Sequence, residues 1–390
     1  MSGEFLSCGG MGYSPVQMIW RLSDSGPEFP DWFQFAGREI ALTYQGRYAI
    51  GLMCELLHIG SGDEILVPAY NCGAEIQPFL WAGAKVVLYR VDRKANADLE
   101  NIFRRVTPAT RVVYITHFFG WPQQIREISE WCKGRGIYLV EDCALSLFSA
   151  GLNNGMGKTG DAAIYSFAKS LPVPDGGALV LAKDAWKENR KLRSPGLRSV
   201  FLSTLPLAKK WFMHENKFWQ HSDLMRRLLS KSYMKKPRGE GGEARPAMLK
   251  SNNFDEQKAD WSTSRLATSI LKATDPRDVV KKRRHNYQYL HESLAEVSSF
   301  QLLFENLPGD VCPQSFPAYV KDRDRWCGFL EASGILVGGW PGYHPGFKWE
   351  EYPEACDLKS NLITLPVHQN LEIHHLEHIV RCVKELAAGG

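Results

Sequence analysis

With 390 residues the chain is long enough to bury a large core and to form two domains. A net charge of +4 is small for that length and does not suit a nucleic-acid binder. Nine cysteines, odd in number and without a C-x-x-C pair, suit reduced thiols of a cytoplasmic protein better than disulfides or a zinc site. The opening MSGEFLSCGG lacks the basic and apolar regions of a signal peptide, and no apolar run reaches the ~18 residues that cross a bilayer. Neither nucleic acid nor membrane is therefore an expected partner.

Short β-branched and aromatic runs at 65–70 (ILVPAY), 85–91 (KVVLYRV), 111–117 (RVVYITH) and 137–142 (IYLVED) read as strands buried on both faces. Helix-like segments at 48–58, 74–81 and 124–133 alternate with them. That alternation predicts βαβ crossovers and a doubly wound, mostly parallel α/β sheet. Ligands in such sheets bind at the carboxyl ends of the strands, where Tyr70, His117 and Asp142 fall.

From about 185 to 250 the chain turns basic and aromatic, and apolar residues from Pro206 to Met234 recur near helical spacing. The plain expectation is a helical hairpin packed on the body. A lid or dimer arm, or an element docked on an anionic surface, are the other readings. Residues 255–274 read as one long helix, 277–297 as a second, and 371–387 as a closing amphipathic helix.

Two motif matches do not carry chemistry. HHLEH at 374–378 fits H-x-x-E-H, but it lies within that terminal amphipathic helix and little chain follows to add a ligand, so no metal is expected. GLNNGMGKT at 151–159 has the wrong glycine spacing and leads into a strand rather than a helix, so it reads as a surface loop.

The segment LVEDCALSLFSAG, then GDAAIYSFAKSLPVPDGGALVL, is the most informative. One buried-type strand ends on Asp142, and the next delivers Ser166 and Lys169 ahead of Gly176-Gly177. Pyridoxal 5′-phosphate chemistry uses such groups: an amine for a Schiff base, a carboxylate to keep the pyridine nitrogen protonated, and a hydroxyl for the phosphate. An unpaired carboxylate at a buried strand end is costly, and a pyridinium partner removes that cost.

In this order the motifs resemble the DegT/DnrJ/StrS family of pyridoxal-phosphate-dependent sugar aminotransferases, of fold type I. GREIALTYQGRYAI, GDEILVPAYN, AGAKVVLYRVD, THFFG and LPVHQNL fall in the family's order as well. The resemblance is close over about 36–183, loose over 250–390 and poor between. It implies a large cofactor-binding domain (1–255, with the 185–250 insertion) built on a seven-stranded sheet between helices, and a smaller α+β domain (256–390).

The same resemblance implies the site. Lys169 and Asp142 are the expected catalytic residues. Gly46 and Arg47 stand where the family's Gly-Thr pair binds phosphate at a helix N-terminus, Arg47 replacing threonine. Ser166 is the expected phosphate hydroxyl, although its spacing to Lys169 is two residues tighter than in the family. Cys72 stands where an aromatic residue would stack on the ring, with Tyr70 or Phe118 as substitutes. Leu145 replaces a glutamine. His117 matches the family histidine and reads equally well as structural. Asn253, beside Asn252, roughly occupies the position of an asparagine that reaches the neighbouring subunit, which implies a homodimer with shared sites; the pair reads as well as a helix N-terminal turn.

The implied reaction is ping-pong transamination from an amino acid, glutamate in family terms, to a keto-sugar carried on a nucleotide. The departures at Arg47, Cys72 and Leu145 keep two other readings open: a catalytically idle or regulatory cofactor-binding protein, and an enzyme acting on a non-sugar carbonyl.

Overall fold

The structure, a computed structural model, describes residues 30–150, 156–183, 191–215, 254–338, 344 and 346–389. Seven strands form the main sheet: β1 (Arg38–Thr43), β2 (Glu64–Pro68), β3 (Lys85–Tyr89), β4 (Thr110–Thr116), β5 (Tyr138–Asp142), β6 (Ala162–Ser166) and β7 (Gly177–Ala182). Their spatial order is β1-β7-β6-β5-β4-β2-β3. Strands β3, β2, β4, β5 and β6 pair in parallel, whereas β7 runs antiparallel to both β6 and β1. β2 and β6 to β7 are apolar and buried along nearly their whole length, as a sheet covered on both faces requires.

The crossover helices are α1 (Gly46–Leu56), α2 (Gly73–Trp81), α3 (Leu99–Arg105) and α4 (Ile125–Lys133). α1 shows why the strand ends become a site. Its first residue, Gly46, lies against the junction of β6 and β7: a β-carbon on Gly177 would stand 2.4 Å from the Gly46 nitrogen. No side chain fits in that gap, so glycine at the start of β7 lets the helix N-terminus approach the sheet.

The C-terminal part holds α6 (Arg265–Lys272), α7 (Pro276–Leu294), α8 (Arg323–Ala332), α9 (Pro353–Asn361) and α10 (Ile373–Ala388), with α5 (Leu197–Glu215) preceding them. Strands β8 (Phe300–Leu302), β9 (Phe316–Val320) and β10 (Leu362–Leu365) form an antiparallel sheet in the order β10-β9-β8. Tyr287, Leu290, Phe316, Ile363, Ile379 and Val383 fill one core there. α6 instead packs through Leu266, Ala267, Ile270 and Leu271 into a cluster with Tyr165, Phe167 and Val180 of the main sheet.

One expected helix is broken. Residues 255–274 form a single 3-10 turn at Glu256–Lys258 and then α6, and Phe254 precedes both. Between them Trp261 bridges to Arg193, and its carbonyl accepts from the Tyr44 amide at 2.8 Å. Ser264 then caps α6 by accepting from the Ala267 amide. Tertiary hydrogen bonds thus replace helical ones in the middle of an otherwise helix-compatible stretch. In the basic segment the helix begins at Leu197 rather than near Pro206, which it contains, and the expected continuation to Met234 lies outside the described residues.

The rejected motifs take structural roles. His378 sits against the Ser333 carbonyl at 2.9 Å, and the buried His375 completes a capping box with Glu372. The amides of Gly157, Thr159 and Gly160 all donate to the carboxylate of Glu141.

Candidate active site

Three carboxyl-end features of the sheet converge. At β5, Asp142 ends the strand fully buried, and its Oδ1 accepts from the Ala144 amide at 2.9 Å. Burial pushes this carboxyl above its ordinary range, against the opposing pull of the Ala144 amide, the Tyr114 hydroxyl, Lys169 and His117. At β6, the chain leaves Ser166 through a short 3-10 turn, Phe167–Lys169, which turns Lys169 out of the sheet with an exposed side chain. At α1, the helix opens on Gly46 and Arg47. Its N-cap, Gln45, makes no side-chain cap, and no acidic residue occupies the first turn. A β-carbon on Gly46 would lie 3.3 Å from the Ser166 β-carbon, so the Ser166 side chain flanks this helix end.

The strand-end loop after β2 completes the group. Tyr70 is buried with its ring 5.2 Å from that of Phe118. Leu145 is buried in the same core cluster as both rings. Cys72 is the N-cap of α2, and its thiol is raised by burial and by Glu75 while Lys169 and Lys359 act the other way. Asn252 and Asn253 lie outside the described residues.

His117 is turned toward structure. Its Nδ1 accepts from the Gln123 amide at 3.0 Å, which leaves the proton on Nε2, 3.1 Å from Glu141. Burial alone would raise Glu141, but the bond from His117 and the amides of Gly160 and Gly157 hold it below its ordinary range. Both ring nitrogens of His117 are thus engaged within the protein, and only the ring face is left for a ligand.

Two site residues escape sequence reasoning. Glu75, in the first turn of α2, is raised to about 8 by burial and then by repulsion from Asp142, and Lys169 opposes the shift. Its Oε2 is buried with no hydrogen-bond partner among the described residues. Lys359, from α9, is lowered by burial to about 7. Its Nζ donates to the Asn71 carbonyl at 2.8 Å and stands 4.6 Å from the centre of the Trp349 ring. Glu75 carries a faint signal, three residues past Cys72 in a segment already of interest. Lys359 carries none, because its segment lies nearly 300 residues away.

Residues 31–206 match the model of the DegT/DnrJ/EryC1/StrS aminotransferase family. Over that span the chain is similar to members of this family. It is 29% identical over 197 residues, 49% of this chain and 50% of the relative, to a dTDP-4-dehydro-2,3,6-trideoxy-D-glucose 4-aminotransferase from Saccharopolyspora spinosa. It is also 33% identical over 157 residues, 40% and 42% of the two chains, to a UDP-N-acetyl-3-dehydro-alpha-D-glucosamine 3-aminotransferase from Acidithiobacillus ferrooxidans. These matches span half or less of the relatives' own length. The fold agrees over the whole chain with the aminotransferase TlmJ from Streptoalloteichus hindustanus, at 19% identity, with a TM-score of 0.67 and coverage of 100% and 99%.

The residues present fit pyridoxal 5′-phosphate, the cofactor of DegT/DnrJ/EryC1/StrS aminotransferases. An uncapped helix start beside a serine matches a phosphate dianion, whose oxygens need amide donors and a positive dipole end. Asp142 and Glu75, two buried carboxyls that repel one another, match a cationic ring that would relieve the burial cost of one of them.

Proposed function

We propose that this protein is a pyridoxal-phosphate-dependent aminotransferase that moves an amino group from an amino acid, glutamate in our reading, to a keto-sugar carried on a nucleotide. The observation that carries the reading is the open N-terminus of α1 beside Ser166, at the same strand ends as the buried Asp142 and the exposed Lys169. When bound, the cofactor supplies an electron sink for the pair left when a C–H bond next to an amine breaks.

The chain's own residues do the rest. The amides of Gly46 and Arg47 and the Ser166 hydroxyl bind the phosphate. Asp142 holds the proton on the ring nitrogen, and its buried setting keeps water from competing. The Lys169 amine, exposed on a short turn, would hold the cofactor through its aldehyde group and, when free, could serve as the base and acid that moves the donor's proton. Tyr70, Phe118 and Leu145 form the apolar wall, with Cys72 where an aromatic platform is expected.

The names of the two curated relatives, which describe dTDP- and UDP-linked sugars, support the acceptor class. We further read the protein as a cytoplasmic homodimer. The cysteines among the described residues are all free, which suits a reducing compartment, and no described helix is long and apolar enough to cross a membrane. Light scattering tests the dimer, and a fully active monomer would refute it.

Cys72 and Leu145 favour a second reading, a protein that holds the cofactor without turning it over or that uses a non-sugar carbonyl. One experiment separates the readings. Purified protein loaded with pyridoxal phosphate and mixed with glutamate should yield pyridoxamine phosphate and 2-oxoglutarate. No conversion would leave the idle reading. Conversion followed by reoxidation only with simple ketones would sink the sugar assignment.

A further inference from the structure

Glu75 is the third residue of α2, just past the strand-end loop that follows β2. Its backbone amide donates to the Cys72 carbonyl at 2.9 Å, and the Cys72 amide in turn acts as a donor to its carboxyl. That reciprocal turn folds the carboxyl back toward Cys72, the position where a residue stacked on the cofactor ring is expected. It leaves Oε2, which is buried and has no hydrogen-bond partner among the described residues. A polar atom in that state is costly unless a ligand meets it.

The surroundings fix which form of the acid occupies the turn. Asp142 at the end of β5, Tyr89 on β3 and Tyr114 on β4 lie within electrostatic reach of Glu75, as do Lys169, Cys72 and, from α9, Lys359. Burial and then repulsion from Asp142 keep Glu75 a neutral acid up to about pH 8, against the two lysines. A carboxylate only accepts hydrogen bonds, whereas a neutral carboxyl also donates one. The pyridoxal ring offers an acceptor, the phenolic oxygen beside the carbon that Lys169 would hold. Leu145, buried with the rings of Tyr70 and Phe118, has no polar atom to give that oxygen, and the Cys72 thiol is a weak donor.

We propose that Glu75, as a neutral acid, contacts the cofactor and donates a hydrogen bond to the phenolic oxygen of bound pyridoxal phosphate. The proposal rests on the cofactor reading above and adds to it a polar contact that Leu145 withholds.

The test uses the full chain loaded with pyridoxal phosphate, with cofactor affinity measured by equilibrium dialysis and the visible band followed against pH. The phenolic oxygen also accepts from the nitrogen that joins the cofactor to Lys169. A second donor weakens that internal bond and lets the nitrogen lose its proton at lower pH. Glu75→Leu should therefore bind the cofactor about tenfold more weakly, and the pH midpoint of its band should rise by about one unit. Glu75→Gln keeps an N–H donor without a charge, so it should stay within about threefold of wild type in affinity and keep the wild-type midpoint. Glu75→Ala repeats the reading should leucine disturb the start of α2. If the wild type forms no visible band, the cofactor reading falls and the proposal with it. If the band forms but Glu75→Leu matches wild type in affinity and midpoint, only the proposal falls. A role confined to capping α2 would lower the urea midpoint of Glu75→Leu without moving the band's midpoint, which overturns it too. Glutamine behaving like leucine would show that Glu75 acts through its charge, again overturning it.

Discussion

Arg283, buried in α7, donates from Nη2 to the carbonyl of Ser170 at 2.9 Å. The same guanidinium holds the carbonyls of Pro313 and Gln314 and the side chain of Gln369. One planar, permanently charged fork thus fastens the residue after Lys169 to the C-terminal part of the chain.

Arg283→Met should therefore loosen the lysine turn as well as the core. Several buried acceptors lose their donor, at about 1–3 kcal/mol each when left unsatisfied, partly recovered by relaxation. We expect the urea midpoint to imply a loss of about 3 kcal/mol. Cofactor affinity should fall along with it. Unchanged stability would mean that water replaces the guanidinium.

Lys169→Ala should leave the fold intact, because the side chain is exposed. The protein should lose the visible absorbance given by a lysine-bound cofactor, and all turnover. Borohydride reduction and peptide mapping on the wild type should label Lys169. Label on another lysine, Lys359 included, would refute the assignment.

Asp142→Asn keeps the shape and removes the charge. The loss of electrostatic stabilisation should lower the rate by about 10²–10³-fold, the range for one such group in a buried site. Circular dichroism should remain that of the wild type. A rate within a few-fold of wild type would give the ring nitrogen to another residue.

Gly177→Ala places a methyl group 2.4 Å from the Gly46 nitrogen. Since the obstacle is backbone, the helix end must move. Pyridoxal phosphate should bind at least tenfold more weakly by equilibrium dialysis, and inorganic phosphate should compete less well. Full affinity would place the phosphate elsewhere.

Asp175 gives a stability signal with a definite sign. Burial raises its carboxyl to about 6, although the Ser264 amide donates to Oδ1 at 2.8 Å. Between pH 4 and 6 the folded protein then binds the proton that the unfolded chain has released, so this contribution is complete below pH 4 and lost as pH rises through 6. Asp175→Asn can still accept from Ser264 and cannot ionise. Relative to wild type, its unfolding free energy should gain on the order of 3 kcal/mol between pH 4 and 7, by urea titration at each pH. A flat difference would show that Asp175 ionises as easily folded as unfolded.

What the sequence determined by itself was local. β-branched runs on both faces of four strands, alternating with helices, specified a largely parallel sheet, and the order of Asp142, Ser166 and Lys169 at the strand ends is what our proposed chemistry rests on. Tertiary structure decided what depends on distant segments meeting. The expected helix broke where the Trp261 carbonyl bonds to β1's exit and its neighbours Asp260 and Ser262 bond to Arg193, a choice made by partners more than 60 residues away. His117 reads from the sequence equally as the family's site histidine and as a structural one, and Glu141 and the Gln123 amide bind both of its nitrogens. Glu75 and Lys359 became site residues only because α2 and α9 bury them beside Cys72, where removal from water shifts their proton affinities. Periodicity reports which face of an element is apolar. It cannot report which buried charge a remote lysine will meet, because that is fixed by the packing of the whole chain.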